Sequence, residues 1–355
     1  MTNKINILVT GVGGPTPRSF VRSIIDSESD AYNFIGVDAD PLAMGLYDNT
    51  SYSKTYLVPK ADSEHYWAEI AKIIDRHHIR FAVVLPEAEV VAWSKRKEED
   101  GLPCKAFISS RHATETLVDK KQLHDLLQNK PYIPCYCTFL NGEKNNNLPL
   151  DYPYWVRGTV GSSGLGSLKI NSEKELEEWM RINPLIEEFI ASEFLPGRNL
   201  ACKIMYMDGK ILRSACAERV TYIMSKVAPS GITGNTAFGR LINDKELVKI
   251  ADEAISSVFS KHQSKANGIF TVDFKENAQG KPMITEINVR FVAFVSSLAK
   301  AGANLPLDYL EANLNPEKFS FTYQHYEFLE GTIFLRDVDE KPVVMNEKDL
   351  LAMEA

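Results

Sequence analysis

The stretch Gly268-Ile-Phe-Thr-Val-Asp273-Phe274, followed after a polar turn by Gly280-Lys-Pro-Met-Ile-Thr-Glu286-Ile-Asn288-Val-Arg290, decides how this chain is read. Both halves carry the β-branched and aromatic residues of strands, among them Ile269, Thr271, Phe274, Ile284 and Ile287. Glu276-Asn-Ala-Gln-Gly280 between them has turn chemistry, so the segment predicts a hairpin. Side chains two residues apart on a strand share a face, which sets Glu286 and Asn288 side by side with Arg290 continuing the row. Pairing can bring Asp273 beside them. Two carboxylates and an amide oxygen at one place form a hard-oxygen site, the kind Mg²⁺ takes together with phosphate oxygens. An arginine just beyond suits a phosphate or a carboxylate. The same residues also describe a hairpin with a charged, solvated face; the apolar setting of the row favours a site.

Composition bounds the remainder. A chain of 355 residues exceeds one ordinary domain, so two or three packed units are expected. The hydrophobic share of 44% and charged share of 25% are those of a soluble globular protein. A net charge of −7 argues against nucleic acid as a general partner. The five cysteines, at 104, 135, 137, 202 and 216, read as reduced thiols, and Cys135-Tyr-Cys137 lacks zinc-knuckle spacing. With no signal-peptide pattern and no apolar run of bilayer length, the expectation is a cytoplasmic chain with no membrane partner.

The first hundred residues alternate between strand and helix patterns. Ile5 to Gly11, Phe34 to Asp38 and Phe81 to Pro86 read as buried strands, and Arg18 to Ile25 and Glu64 to His77 as helices. That order predicts a doubly wound sheet. Gly11, Gly13, Gly14 and Asp38 suggest a dinucleotide site. Against it, Pro15 and Pro17 occupy the turn, a third glycine is missing and Arg18 crowds the pyrophosphate position. Glu87 and Glu89 fall at the carboxyl edge of the sheet, either as ligand contacts or as an acidic cap on the next helix.

In the middle, Tyr154-Trp-Val-Arg157 and Ser167-Leu-Lys-Ile170 read as strands around Gly158-Thr-Val-Gly161-Ser162-Ser163-Gly164-Leu-Gly166. Four glycines and two serines there can offer backbone N–H groups and hydroxyls to an anion, with Arg157 adding a bidentate cation. A plain hairpin tip is the competing reading. Lys120, at the start of an amphipathic helix, reads by itself as a surface residue. Asp208-Gly209 joins two further strands as a hairpin, and Tyr222 to Gly234 reads equally as a loop able to close over a ligand and as an ordinary surface loop.

In this order the features resemble the ATP-grasp superfamily, most nearly the branch of carbamoyl-phosphate synthetase large-subunit halves, biotin carboxylase and carboxylate–amine ligases. The resemblance runs over about residues 5 to 315. It implies an α/β and α+β architecture: a Rossmann-like N-terminal domain (1–112), then a two-lobed ATP-grasp fold. The lobes are a small one with a glycine-rich lid (113–191) and a C-terminal one with the Mg/ATP site and an extension (192–355). The resemblance also implies ATP with Mg²⁺, Mn²⁺ being the alternative ion. Carried over by position, Lys120 and Arg157 would hold phosphates. Gly161, Ser162, Ser163 and Gly164 would fold over them, and Glu193, Phe194 and Leu195 would meet adenine. Asp273, Glu286 and Asn288 would bind metal, and Arg290 and Arg219 would face the transferring phosphoryl or the acceptor.

Three departures stand out. Arg157 replaces the family's usual lysine, Asn199 an acidic ribose ligand, and Phe291-Val-Ala-Phe294 a glycine-containing stretch, which implies a narrower or more apolar acceptor pocket. The activity implied is ligation of a small carboxylate to an amine through an acylphosphate. The alternatives are a stand-alone carboxyphosphate- or carbamate-phosphorylating unit and a non-catalytic ATP-binding regulator. Homodimerisation is implied by the resemblance alone.

Overall fold

A computed structural model describes residues 4–27, 29–143, 148–161, 164 and 166–337. Its first unit is a five-stranded parallel sheet in the order β3-β2-β1-β4-β5. In chain order the elements are β1 (Ile5–Thr10), α1 (Pro15–Ile25), β2 (Tyr32–Asp38), β3 (Lys54–Leu57), α2 (Tyr66–His77), β4 (Phe81–Val83), α3 (Glu87–Glu99) and β5 (Lys105–Ala106). Strands in such a sheet are covered on both faces, which is why they read as unbroken apolar runs. Leu8, Ile35, Val37 and Ala82 pack under α2 and α3, while Ile7, Val9, Phe34 and Phe81 point to the other face, where α1 lies. β4 stops sooner than the apolar run Phe81 to Pro86 suggests. Leu85 and Pro86 lead straight into α3, so Glu87 and Glu89 sit in that helix's first turn, where negative charge is favoured. Asp38 accepts hydrogen bonds from the backbone of Gly13 (2.8 Å) and Asp40 (3.0 Å), so it braces its own turn rather than standing ready for a ribose.

Glu89 makes the parallel sheet sensitive to pH. Its Oε2 accepts from the Tyr66 hydroxyl at 2.6 Å, and burial pushes its carboxyl up to about 7, against the pull of Tyr66 and Thr10. A raised carboxyl pKa gives stability that is whole below the unfolded value and is lost as pH rises through the folded one. Glu89→Gln does not titrate but keeps an oxygen acceptor for Tyr66. The variant is therefore expected to gain about 2 kcal/mol over the parent between pH 5 and pH 8, allowing for partial exposure. Urea unfolding at the two pH values checks this; a constant difference between the proteins would refute it.

Two short helices, α4 (Arg111–Val118) and α5 (Lys120–Leu127), lead to a four-stranded antiparallel sheet in the order β6-β9-β7-β8. Its elements are β6 (Tyr136–Leu140), β7 (Tyr154–Gly158), β8 (Leu168–Ile170), α6 (Glu173–Ile182) and β9 (Glu188–Glu193). Phe139, Tyr154, Val156, Trp179 and Phe189 give this sheet a core of its own.

The remaining chain builds the large antiparallel sheet from β10 (Asn199–Met207), β11 (Lys210–Tyr222), β12 (Thr236–Ile242), α7 (Lys245–Lys261), β13 (Gly268–Glu276) and β14 (Pro282–Asn288). After it come α8 (Val295–Lys300), α9 (Leu305–Leu314), β15 (Gln324–His325) and β16 (Ile333–Leu335). The path is β14-β13-β10-β11-β12-β16, with β15 added beside β11. The β10–β11 turn has positive φ at both Asp208 (50°) and Gly209 (80°), the backbone that an Asp-Gly hairpin prefers. One face, with Cys202, Ile204, Cys216 and Val272, is buried under α7. The other carries Ala201, Ala215 and Ala217 into the same core as Phe20, Phe81, Phe291 and Tyr309. Phe20 meets Phe291 edge-on at 5.1 Å and Phe291 meets Tyr309 at 5.2 Å, so the parallel sheet and the large sheet share one apolar centre. All five cysteines are free, and among the described residues no helix is long and apolar enough to cross a membrane.

Candidate active site

The β13–β14 ladder pairs Asp273 directly with Glu286 and Thr271 with Asn288, with a register shift after Asp273. The hairpin therefore gathers the carboxylates as its alternation predicts. Asn288 Nδ2 donates to Asp273 Oδ2 at 3.2 Å and to Glu286 Oε1 at 3.4 Å. Arg219, on β11 and facing the same side, donates Nη1 to Asp273 Oδ1 at 3.0 Å, Nε to Thr236 Oγ1 at 3.0 Å and Nη2 to the Gly234 carbonyl at 2.7 Å.

Two cations reach the carboxylates from across the cleft. Lys120 is buried, unlike the surface residue its local sequence suggests. Asp119 caps α5 by accepting from Gln122 N–H at 3.0 Å, and Lys120 N–H is held by the Thr159 carbonyl at 2.9 Å. From there Lys120 Nζ donates to the Gly161 carbonyl at 2.7 Å and lies 3.9 Å from Glu286. Arg157, on β7, lies 3.8 Å from the same carboxylate and donates to the Thr285 carbonyl.

These charges divide the work of the two acids. Burial pushes Asp273 up to about 6, assisted by the charge of Glu286 and opposed by Arg219 and Lys203. Burial acts on Glu286 in the same direction, but Lys120, Arg157 and Arg219 together hold it below its ordinary value. Glu286 is thus the firm anion of the pair. Two carboxylates and an amide fit Mg²⁺, which needs only one or two protein carboxylates when phosphates complete its shell. For Asn288 to offer its oxygen, its amide must turn over.

The cleft between the small and large sheets has a volume of about 490 Å³. Lys120, Arg157, Gly161, Gly164, Glu193, Phe194, Leu195, Asn199, Arg219, Asp273 and Glu286 all border it. Asn288 does not border it and reaches it through its hydrogen bonds to the two carboxylates. Arg290 stands beyond the cleft, with Nη1 on the Phe291 carbonyl at 3.0 Å and a buried Nε that has no partner. Ser162 and Ser163 lie outside the described residues. Glu193 accepts from Cys135 N–H at 3.0 Å, and Lys169 Nζ lies 4.4 Å above the Phe194 ring. Phe291 and Phe294 do not narrow a pocket, because both are buried in the shared core.

Sequence reasoning passed over Lys203. It is 1% exposed on β10, in line with Ala201, and its Nζ lies 3.3 Å from the Phe294 ring centre. Burial holds it well below its ordinary pKa, with Asp273 pulling the other way. A lysine in the middle of Leu200-Ala-Cys-Lys-Ile-Met-Tyr206 was the available signal. Glu87, for which the sequence allows either a ligand contact or a helix cap, has electrostatic neighbours in Arg290, Lys120 and Glu286.

No protein-family model and no curated protein sequence matches the chain. Solved structures do. An L-amino acid ligase from Bacillus licheniformis aligns over 91% of this chain and 78% of its own, with TM-score 0.66 and 16% identity. Phosphoribosylamine–glycine ligase from Thermotoga maritima covers the same shares with TM-score 0.66 at 13% identity. N5-carboxyaminoimidazole synthetase from Staphylococcus aureus, solved with ADP, aligns over 81% of this chain and 72% of its own at TM-score 0.60 and 16% identity. The chain has the ATP-grasp fold.

Within this ATP-grasp fold the glycine loop and the 222–234 loop meet over the cleft. Gly164 has φ +73°, and a Cβ there would come within 2.5 Å of the Ile232 carbonyl oxygen. Gly164→Ala therefore has to push the loops apart as well as strain the backbone. Nucleotide affinity is expected to fall about tenfold, the effect of roughly 1.4 kcal/mol, with little change in Tm because the loop lies outside the cores. Calorimetric titration with ATP checks it; unchanged affinity would show that the loops need not meet.

Proposed function

We propose that the chain is an ATP-dependent ligase that activates a small carboxylate as an acylphosphate and couples it to an amine. The observation that carries this is the Asp273–Glu286 pair facing Lys120 and Arg157 across one cleft. Acids on one wall and cations on the other are what transfer of a phosphoryl group from ATP requires, because that chemistry depends on positioning and charge neutralisation. A carboxylate oxygen bonds to the γ-phosphorus as ADP leaves. The amine nitrogen then bonds to the acyl carbon as phosphate leaves, and the amine gives up a proton.

Asp273, Glu286 and a turned Asn288 would hold Mg²⁺, which when bound supplies neutralisation of phosphate charge. Lys120 and Arg157 would grip phosphate oxygens, and Lys120 would order the glycine loop through Gly161. Glu193, Phe194 and Leu195 would border the base. The ligase names of the similar structures support the reading, as does the ADP bound in one of them. The test is ADP release from Mg-ATP across paired panels of carboxylic acids and amines. Release that depends on both members of a pair supports the ligase; nucleotide binding without release in any pair would favour a regulator instead.

A further inference from the structure

Beside the carboxylates, a group of arginines remains without assigned work. Arg18 projects from the first turn of α1. The next residue, Ser19, donates its hydroxyl to Ser296 Oγ at 2.8 Å, which seats α1 against the start of α8. Just before α8, the Phe294 ring stacks on Phe334 of β16 with centroids 5.3 Å apart and planes 10° from parallel. Two residues past Phe334 comes Arg336, whose Nη1 donates to Asn235 Oδ1 at 2.8 Å and to the Thr236 carbonyl at 2.7 Å. The hydroxyl of that same Thr236 receives Arg219. Arg336 and Arg219 thus meet at one residue, and Arg18, on the helix that the Ser19–Ser296 contact seats beside α8, is near enough for its charge to act on Arg336.

The arrangement is electrostatically uncomfortable. Burial pushes Arg336 down to about 10, and Arg18, Arg219 and Arg22 act in the same direction. Neither Arg18 nor Arg336 forms an ion pair with a described carboxylate, and the buried Nε of Arg18 has no hydrogen-bond partner. In a chain of net charge −7 this concentration of positive charge is local and specific. Partly buried guanidinium groups without a counter-ion are costly, and an anion between them offsets that cost with bidentate hydrogen bonds. The place is also apt, because Arg219 ties this basin to Asp273 in the ATP cleft.

We propose that Arg18 and Arg336, beside Arg219, bind a second negative group of the acid substrate, so that the acceptor is a polyanion rather than a simple monocarboxylate. The substrate assignment rests on the ligase reading; the anion site itself does not. A carboxylate and a phosphate ester share the required chemistry.

The experiment has two arms on the full chain. In the first, succinate, glycerol 3-phosphate and acetate are titrated calorimetrically without nucleotide into the parent and into Arg18→Gln, Arg336→Gln and Arg18→Lys. At least one dianion is expected to bind, at least tenfold more weakly to either Gln variant, with Arg18→Lys retaining most of the affinity and acetate binding weakly to all. Which dianion binds tells carboxylate from phosphate. In the second arm, ADP release is measured with mono- and dianionic acids, and dianions are expected to be preferred by the parent but not by the Gln variants. Dianion binding that is absent, or equal in parent and both Gln variants, overturns the proposal, as does ADP release that prefers monocarboxylates. Variant-sensitive binding with no ADP release from any acid upholds the anion site and overturns the ligase reading alone.

Discussion

Glu286→Gln is expected to lower acid-dependent ADP release by about 10²–10³-fold, the scale of losing one well-placed electrostatic group at a reacting centre. The substitution keeps the side chain's volume and an oxygen for Asn288 to donate to, but it removes the charge. Glu286 is the carboxylate whose ionised form Lys120, Arg157 and Arg219 together stabilise, so its loss leaves Asp273 as the one acid of the pair. Lys120 and Arg157, at 3.9 and 3.8 Å, lose their shared counter-charge at the same time. ATP affinity in the presence of Mg²⁺ should fall too, whereas metal-free nucleotide binding should change little or strengthen. Steady-state kinetics and calorimetry with and without the metal separate these effects. Activity within threefold of the parent would remove Glu286 from the reaction and leave the hairpin as a structural pair.

Phe291→Ala is expected to cost about 3–5 kcal/mol of stability, the usual range for deleting a fully buried phenyl ring. Phe291 is 1% exposed and touches Phe20 and Tyr309, which touch each other at 6.3 Å. Phe20 belongs to the parallel sheet's helix and Tyr309 to α9, so the cavity would open where the two sheets share their core. Arg290 directly precedes this ring and accordingly would lose its seating. Denaturant unfolding gives the stability, and a loss below 1 kcal/mol would mean that the neighbouring rings collapse into the space.

Much of this was legible because period-two alternation fixes which side chains share a face. Asp273, Glu286 and Asn288 come together in the structure as the hairpin pattern requires. The turn at Asp208-Gly209 was equally plain, since few residue pairs adopt positive φ in succession. Lys120 was not legible from its helix. An amphipathic pattern tells which residues face the neighbouring core, and it is silent about a chain crossing from another sheet to cover the polar side, as Gly161 does. Lys203 was hidden for a related reason: its burial is set by Phe294, 91 positions later in the chain. The misreading of Phe291 and Phe294 as pocket wall has the same origin. Their side is decided by α1 and β16, and nothing within their own segment shows it.

The separate core of the four-stranded sheet has a mechanical consequence. Phe139, Tyr154, Val156, Trp179 and Phe189 pack among themselves, so tilting this sheet as one piece would leave its own core intact. Tilting would carry Arg157 and Gly161 away while Asp273 and Glu286 stay where β13 and β14 fix them. The contacts of Arg157 with Glu286 and Thr285 then work as a latch between the two sheets. A latch this buried is screened little by salt, because only 12% of the Arg157 side chain and 31% of that of Glu286 are exposed. The gape of the cleft in solution should therefore hold steady as ionic strength rises, and be set by what fills it instead.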